Sequence, residues 1–68
     1  MSEDITSYKI GVVGAGSWGT ALANLLATKG YAVDLWVYET FVRDEILNHG
    51  ENRSFLPGVS LSEQLTPF

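Results

Sequence analysis

Six consecutive residues, Gly14, Ala15, Gly16, Ser17, Trp18 and Gly19, place three glycines in the spacing GxGxxG. The chemistry open to such a stretch is anion binding by the main chain. Gly14 allows a sharp turn, and Gly16, having no Cβ, lets a phosphate group come up against the backbone. Gly19 lets a helix lie close to the strand before it. A helix starting here would aim unpaired N–H groups and its positive dipole end at the anion. The plain alternative is a tight strand-to-helix turn with no ligand, and GxGxxG alone does not decide between the two. The Ser17 hydroxyl has two compatible uses, bonding a phosphate or capping the helix.

An acidic residue, Glu39, follows Gly19 by 20 positions. In a dinucleotide fingerprint that is where a carboxylate accepts the hydroxyls of the adenosine ribose. A carboxylate there repels a 2′-phosphate, so NAD is favoured over NADP. The alternative is a solvated acid at the start of the next helix. Arg43 qualifies both readings, since it can neutralise Glu39 or reach a 2′-phosphate. Tyr38 can lay its ring against adenine or ribose, whereas Trp36 is expected to pack on the sheet. Trp18 occupies an apolar helix position, so core packing is its plain reading, and shielding of a cofactor beside Gly16 is the functional one. His49 has no evident partner and is read as a surface residue. No metal-ligand spacing, serine triad or paired-carboxylate site stands out.

Three elements must position these residues. Residues 8–13, YKIGVV, form a short apolar run stopped by glycine and read as a buried strand, with Lys9 at its solvent-facing start. Gly11 within it suggests close approach by another backbone. From Ser17 the period changes. Trp18, Ala21, Leu22, Leu25 and Leu26 fall on one helical face, the expected core face. The remaining positions are small, including Thr20, Ala23 and Ala27, so a second close-packed side is open to this helix. Lys29 and Gly30 end it. Residues 31–38, YAVDLWVY, are the next strand, with Val33, Leu35 and Val37 alternating against Ala32, Asp34 and Trp36. A strand, helix and strand joined this tightly make a parallel pair with a right-handed crossover. A second helix is expected over 40–48, with Phe41 or Val42, Ile46 and Leu47 as its stripe and a weak Glu39–Arg43 pair. The stretch 51–67 reads as irregular, and 65–68 as the start of a third strand.

Composition narrows the partners. The chain has 68 residues, a net charge of −4 and no cysteine. This length is at the low end of a single domain. Its four basic residues make no patch for nucleic acid, so a bound phosphate must be held by backbone. Disulfides and thiolate metal sites are excluded. The acidic start Met1–Asp4 lacks the positive charge of a signal peptide, and no apolar stretch approaches the roughly 20 residues of a membrane span. The expectation is a cytoplasmic protein without membrane insertion.

Residues 10–23, IGVVGAGSWGTALA, resemble the opening of the soluble NAD(P)-dependent glycerol-3-phosphate dehydrogenases. So do residues 35–39, LWVYE, and 51–59, ENRSFLPGV; the ENxxFLPG pattern makes the match specific. The resemblance implies an α/β fold, the start of a Rossmann doubly wound parallel sheet, and residues 1–68 as the N-terminal part of an NAD-binding domain. It implies that Gly14, Ala15, Gly16, Ser17, Trp18, Gly19, Tyr38, Glu39 and Phe55 line the dinucleotide. The aromatic–acid pair at 38–39 looks like NAD-preferring members. The intact family interconverts sn-glycerol 3-phosphate and dihydroxyacetone phosphate, a phosphorylated three-carbon substrate in glycerophospholipid precursor metabolism, and a homodimer is compatible with it. Its catalytic lysines and helical substrate domain fall beyond Phe68, so no catalytic residue is assigned here and the 68-residue chain alone is expected to be inactive. Two alternatives stand beside this reading. One is another two-domain dehydrogenase, of the hydroxy-acid or ketopantoate type. The other is a non-enzymatic nucleotide-binding or interaction fragment.

Overall fold

A computed structural model describes residues 9–68. Five elements follow in order: β1 (Lys9–Val13), α1 (Ser17–Thr28), β2 (Ala32–Trp36), α2 (Thr40–His49) and β3 (Leu65–Pro67). The strands form one parallel sheet in the order β1-β2-β3. Val13 of β1 stands opposite Trp36 of β2, and Leu35 opposite Pro67, so the strands end together at one carboxyl edge. This is the β-α-β start of a doubly wound sheet that the sequence predicts. Tyr8, expected at the head of β1, lies outside the described residues.

Both helices cover the same sheet face. The core joins Ala23 and Ala27 of α1, Val42 and Ile46 of α2, and Val33, Leu35 and Leu65 of the strands, with Ile10, Val12 and Leu26 packed against it. Val33 and Leu35 are fully enclosed, each stabilising the fold by about 2 kcal/mol. The alternation predicted for β2 is therefore correct, and Val37 is buried as well. On the other sheet face Gly11, Val13, Trp36 and Thr66 are exposed. There Lys9 pairs with Asp34 across 3.3 Å, an exposed ion pair of small energetic weight.

Two expectations about packing are corrected. The first concerns α1. Its buried residues are Thr20, Ala23 and Ala27, while Trp18 is 86% exposed, and Leu22 and Leu25 also face outward. Of the predicted large-residue stripe only Leu26 joins the core. The reason is distance. A Cβ on Gly19 would stand 2.0 Å from the Gly14 carbonyl oxygen, so α1 runs directly against the end of β1. At that separation only small side chains fit between helix and sheet. The second correction concerns β1. It is half-exposed along its length, and a Cβ on Gly11 would meet nothing within 4 Å, so no backbone closes on it. Among the described residues β1 pairs with β2 alone, and the helices pack on one of its faces.

The second helix selects between its candidates. Val42 and Ile46 are buried, whereas Phe41 and Leu47 are exposed. Gly50 takes the left-handed conformation at φ 65° and returns its N–H to Ile46 O at 2.9 Å, which stops the helix. Arg43 makes its ion pair with the adjacent Asp44, at 3.8 Å, in place of the expected Glu39. The third strand appears where 65–68 suggests it, with Phe68 extending the pairing through bonds to Leu35 and Val37.

Two substitutions test which face of α1 is the packed one. Leu25→Gln should shift stability by no more than about 0.5 kcal/mol. Ala23→Leu, forced into the helix–sheet gap, should lower it by about 2–3 kcal/mol in denaturant titrations. The reverse ranking would restore the large-residue face to the core. Gly19→Ala should cost about 3 kcal/mol, because a backbone oxygen occupies the space its methyl needs.

Candidate functional site

The strand ends assemble the site. Gly14 takes φ +98°, which turns the chain sharply out of β1, and its N–H donates to Trp36 O at 3.0 Å. Ala15 is buried, and Gly16 is the extended N-cap of α1. The first helical hydrogen bond runs from Thr20 N–H to Gly16 O, at 3.0 Å. The N–H groups of Gly16, Ser17, Trp18 and Gly19 stand ahead of it at the helix opening. No side chain caps this end, and no acidic residue lies in the first turn. A capping oxygen would compete with an incoming anion and an acid would repel it; neither is present.

The space beside Gly16 agrees. A Cβ there would meet nothing within 4 Å, in contrast with Gly19. The residue that must be small for packing and the residue that faces open space are thus distinct, as the sequence predicts for a phosphate-binding turn. The donor set, main-chain N–H groups with an exposed approach, fits a pyrophosphate.

Ser17 does not take the capping role expected of it. Its hydroxyl donates to the carbonyl of Phe55, 38 positions along the chain, and does not cap α1. This bond brings the 51–58 loop to the glycine turn. Phe55, partly exposed, therefore joins the site, and Leu56 lines a shallow apolar hollow with Ser17, Trp18 and Ala21. Trp18 leaves the core and stands at the rim of this hollow.

Tyr38 and Glu39 follow β2 at the same carboxyl edge. Tyr38 is 77% exposed and meets Trp36 edge-on with ring centroids 6.0 Å apart. Trp36 lies on the bare sheet face. Glu39 is the N-cap residue of α2 by backbone position but makes no capping bond, so its carboxylate is free of that task. His49 is exposed.

Two residues of the site carry no role in the sequence reading, Asn52 and Thr20. Both are fully buried. The Asn52 carboxamide donates to Ala15 O at 2.8 Å and to Thr20 Oγ1 at 2.9 Å, while its oxygen accepts from Phe55 N–H at 3.1 Å. Thr20 was visible only as one of several small residues on α1, and Asn52 only as a letter of the ENxxFLPG pattern. The stretch 51–58, read as irregular, is compact: Glu51 accepts from Gly58 N–H at 2.8 Å, and Leu56 N–H bonds Asn52 O at 2.8 Å. Glu45 of α2 holds Ser54 through its N–H and hydroxyl.

Among the described residues no cluster of His, Asp and Glu is arranged to hold a metal, and no helix is long and apolar enough to cross a membrane. A family model described as NAD-dependent glycerol-3-phosphate dehydrogenase N-terminus matches residues 9–68. The glycerol-3-phosphate dehydrogenase [NAD(P)+] of Citrifermentans bemidjiense is 56% identical over 57 residues, covering 84% of this chain and 17% of that protein. Its counterpart from Geobacter sulfurreducens is 53% identical over 60 residues, with 88% and 18% covered. A crystal structure of glycerol-3-phosphate dehydrogenase from Coxiella burnetii superposes with TM-score 0.84 at 46% identity, over 90% of this chain and 19% of that one. The chain spans about a sixth of the length of the curated relatives it matches.

Two glycine substitutions separate turn geometry from open space. Gly14→Ala should cost about 1–2 kcal/mol, since φ +98° disfavours any side chain. Gly16→Ala, with φ −69° and no neighbour within 4 Å, should leave the thermal midpoint nearly unchanged. Equal losses in the two melts would contradict this division.

Proposed function

The chain belongs to the family of NAD-dependent glycerol-3-phosphate dehydrogenases, and from that premise we propose that residues 1–68 are the opening of its dinucleotide-binding domain, holding NAD by the pyrophosphate. The observation that carries this reading is the uncapped N-terminus of α1 beside Gly16, with space at Gly16 for an approaching phosphate. Gly14, Ala15, Gly16 and Gly19 shape the turn, and the N–H groups of residues 16–19 hold the anion. Ser17, Trp18 and Phe55 flank it. Tyr38 and Glu39 take the adenosine end, the Glu39 carboxylate accepting ribose hydroxyls. This arrangement explains how an acidic chain holds a diphosphate: the attraction comes from peptide dipoles and not from lysine.

For the complete protein we infer the interconversion of sn-glycerol 3-phosphate and dihydroxyacetone phosphate. The nicotinamide supplies or accepts the hydride; these 68 residues fix the cofactor and contribute no group to proton transfer. The substrate domain and catalytic lysines lie outside this stretch. A cytosolic location and a homodimer of the complete enzyme accompany the proposal. The hydroxy-acid and ketopantoate alternatives lose support from the match over 9–68.

Titration of the chain with NADH and NADPH, followed by amide NMR shifts, tests the reading. NADH should move the resonances of Gly16–Gly19 and bind more tightly than NADPH, and Gly16→Ala should abolish the response without unfolding the chain. Glu39→Ser should narrow the preference by about tenfold, as removal of one close like-charge contact implies. The isolated chain should not oxidise NADH with dihydroxyacetone phosphate. Turnover by it, or shifts confined to residues away from the glycine turn, would overturn the proposal.

A further inference from the structure

Asn52 lies 37 positions from Ala15 and 32 from Thr20, yet joins both, and it joins them to Phe55. A carboxamide offers two N–H donors and one carbonyl oxygen, and all three are engaged here. Three separate segments meet on this one side chain: the turn after β1, the first turn of α1 and the 51–58 loop. It is fully buried, so it cannot touch a ligand in the open space beside Gly16.

Of the residues it ties, Phe55 is the one at the surface, next to the glycine turn. Phe55 is held twice, its N–H by Asn52 and its carbonyl by the Ser17 hydroxyl. Leu56 bonds the Asn52 main chain and forms the apolar hollow with Ser17, Trp18 and Ala21. The separation between the glycine turn and the loop opposite it is therefore set by the buried Asn52 amide together with the Ser17–Phe55 bond. No other residue type can reproduce the pattern at this size. Aspartate would set a carboxylate against the Ala15 carbonyl, and leucine would leave Ala15 O, Thr20 Oγ1 and Phe55 N–H without their partner.

Building on the dinucleotide reading, we propose that Asn52 is a positioning residue for the cofactor: its carboxamide locks the 51–58 loop to the glycine turn at the spacing that admits the dinucleotide, with Thr20 as its buried acceptor. Thr20→Val keeps the side-chain shape and removes the acceptor, whereas Thr20→Ser retains it. Neither change adds charge, and neither side chain reaches the ligand space.

The test compares the wild-type chain, Asn52→Leu, Thr20→Val and Thr20→Ser at a temperature where circular dichroism shows each fully folded. NADH dissociation constants are measured with amide hydrogen exchange at Phe55 and Leu56. Thr20→Val should raise the dissociation constant about fivefold and Asn52→Leu about tenfold or more, with Thr20→Ser within about twofold of wild type. Exchange at Phe55 should quicken in the same order. If Asn52→Leu does not fold, the two Thr20 variants decide the question alone. Folded variants with wild-type affinity would overturn the positioning role and leave NADH binding by the parent chain intact. A wild-type chain that binds no NADH would instead overturn the dinucleotide reading, and the role given to Asn52 with it.

Discussion

The arrangement depends on one close approach: the Gly14 carbonyl oxygen lies where a side chain on Gly19 would begin. That contact fixes how near α1 comes to the sheet, and the other features follow from it. With the helix this near, its inner face is made of Thr20, Ala23 and Ala27, with Leu26 at its border, and Trp18 is left outside. The helix start is held at the carboxyl edge of the strands, with open space beside Gly16. Steric exclusion at one glycine thus sets the geometry in which electrostatic attraction operates at another.

The polar core of the site answers the same constraint. A helix pressed against a turn leaves little room for water around the turn's carbonyl groups, so a buried carbonyl such as that of Ala15 requires a protein donor. Asn52 supplies it from a distant part of the chain, and none of the buried side-chain polar atoms among the described residues lacks a partner. The loop that carries Asn52 is braced from outside by Glu45 and Glu51, whose carboxylates accept from Ser54 and Gly58. Acidic residues here organise main chain. The net charge of the protein therefore says little about the local field at the helix opening.

Much of this was legible in the residues, for identifiable reasons. Strand and helix order followed from periodicity and from glycine stops, because Gly30 and Gly50 sit where left-handed backbone ends the two helices. The alternation of Val33, Leu35 and Val37 named the inner sheet face correctly. The face of α1 was misread because hydrophobic periodicity reports which residues are large and apolar, whereas a glycine contact determines which face fits. The pairing of Arg43 with Asp44 and the partners of Ser17 and Asn52 were not legible. The partners of Ser17 and Asn52 depend on where a loop of irregular sequence lands, which no local pattern encodes, whereas Arg43 chooses within α2 between two acids that are both local, Glu39 and Asp44.

The two indoles of the chain sit in contrasting settings. Trp18 stands at the rim of the glycine turn and is 86% exposed, while Trp36 lies on the opposite side of the sheet, 39% exposed and edge-on to Tyr38. Indole emission from this protein accordingly has two sources, one exposed at the rim of the helix opening and one better covered, on the strand whose end accepts the Gly14 N–H. A collisional quencher dissolved in the buffer will reach the first more freely than the second. The chain thus carries, in Trp18, its own optical label at the glycine turn.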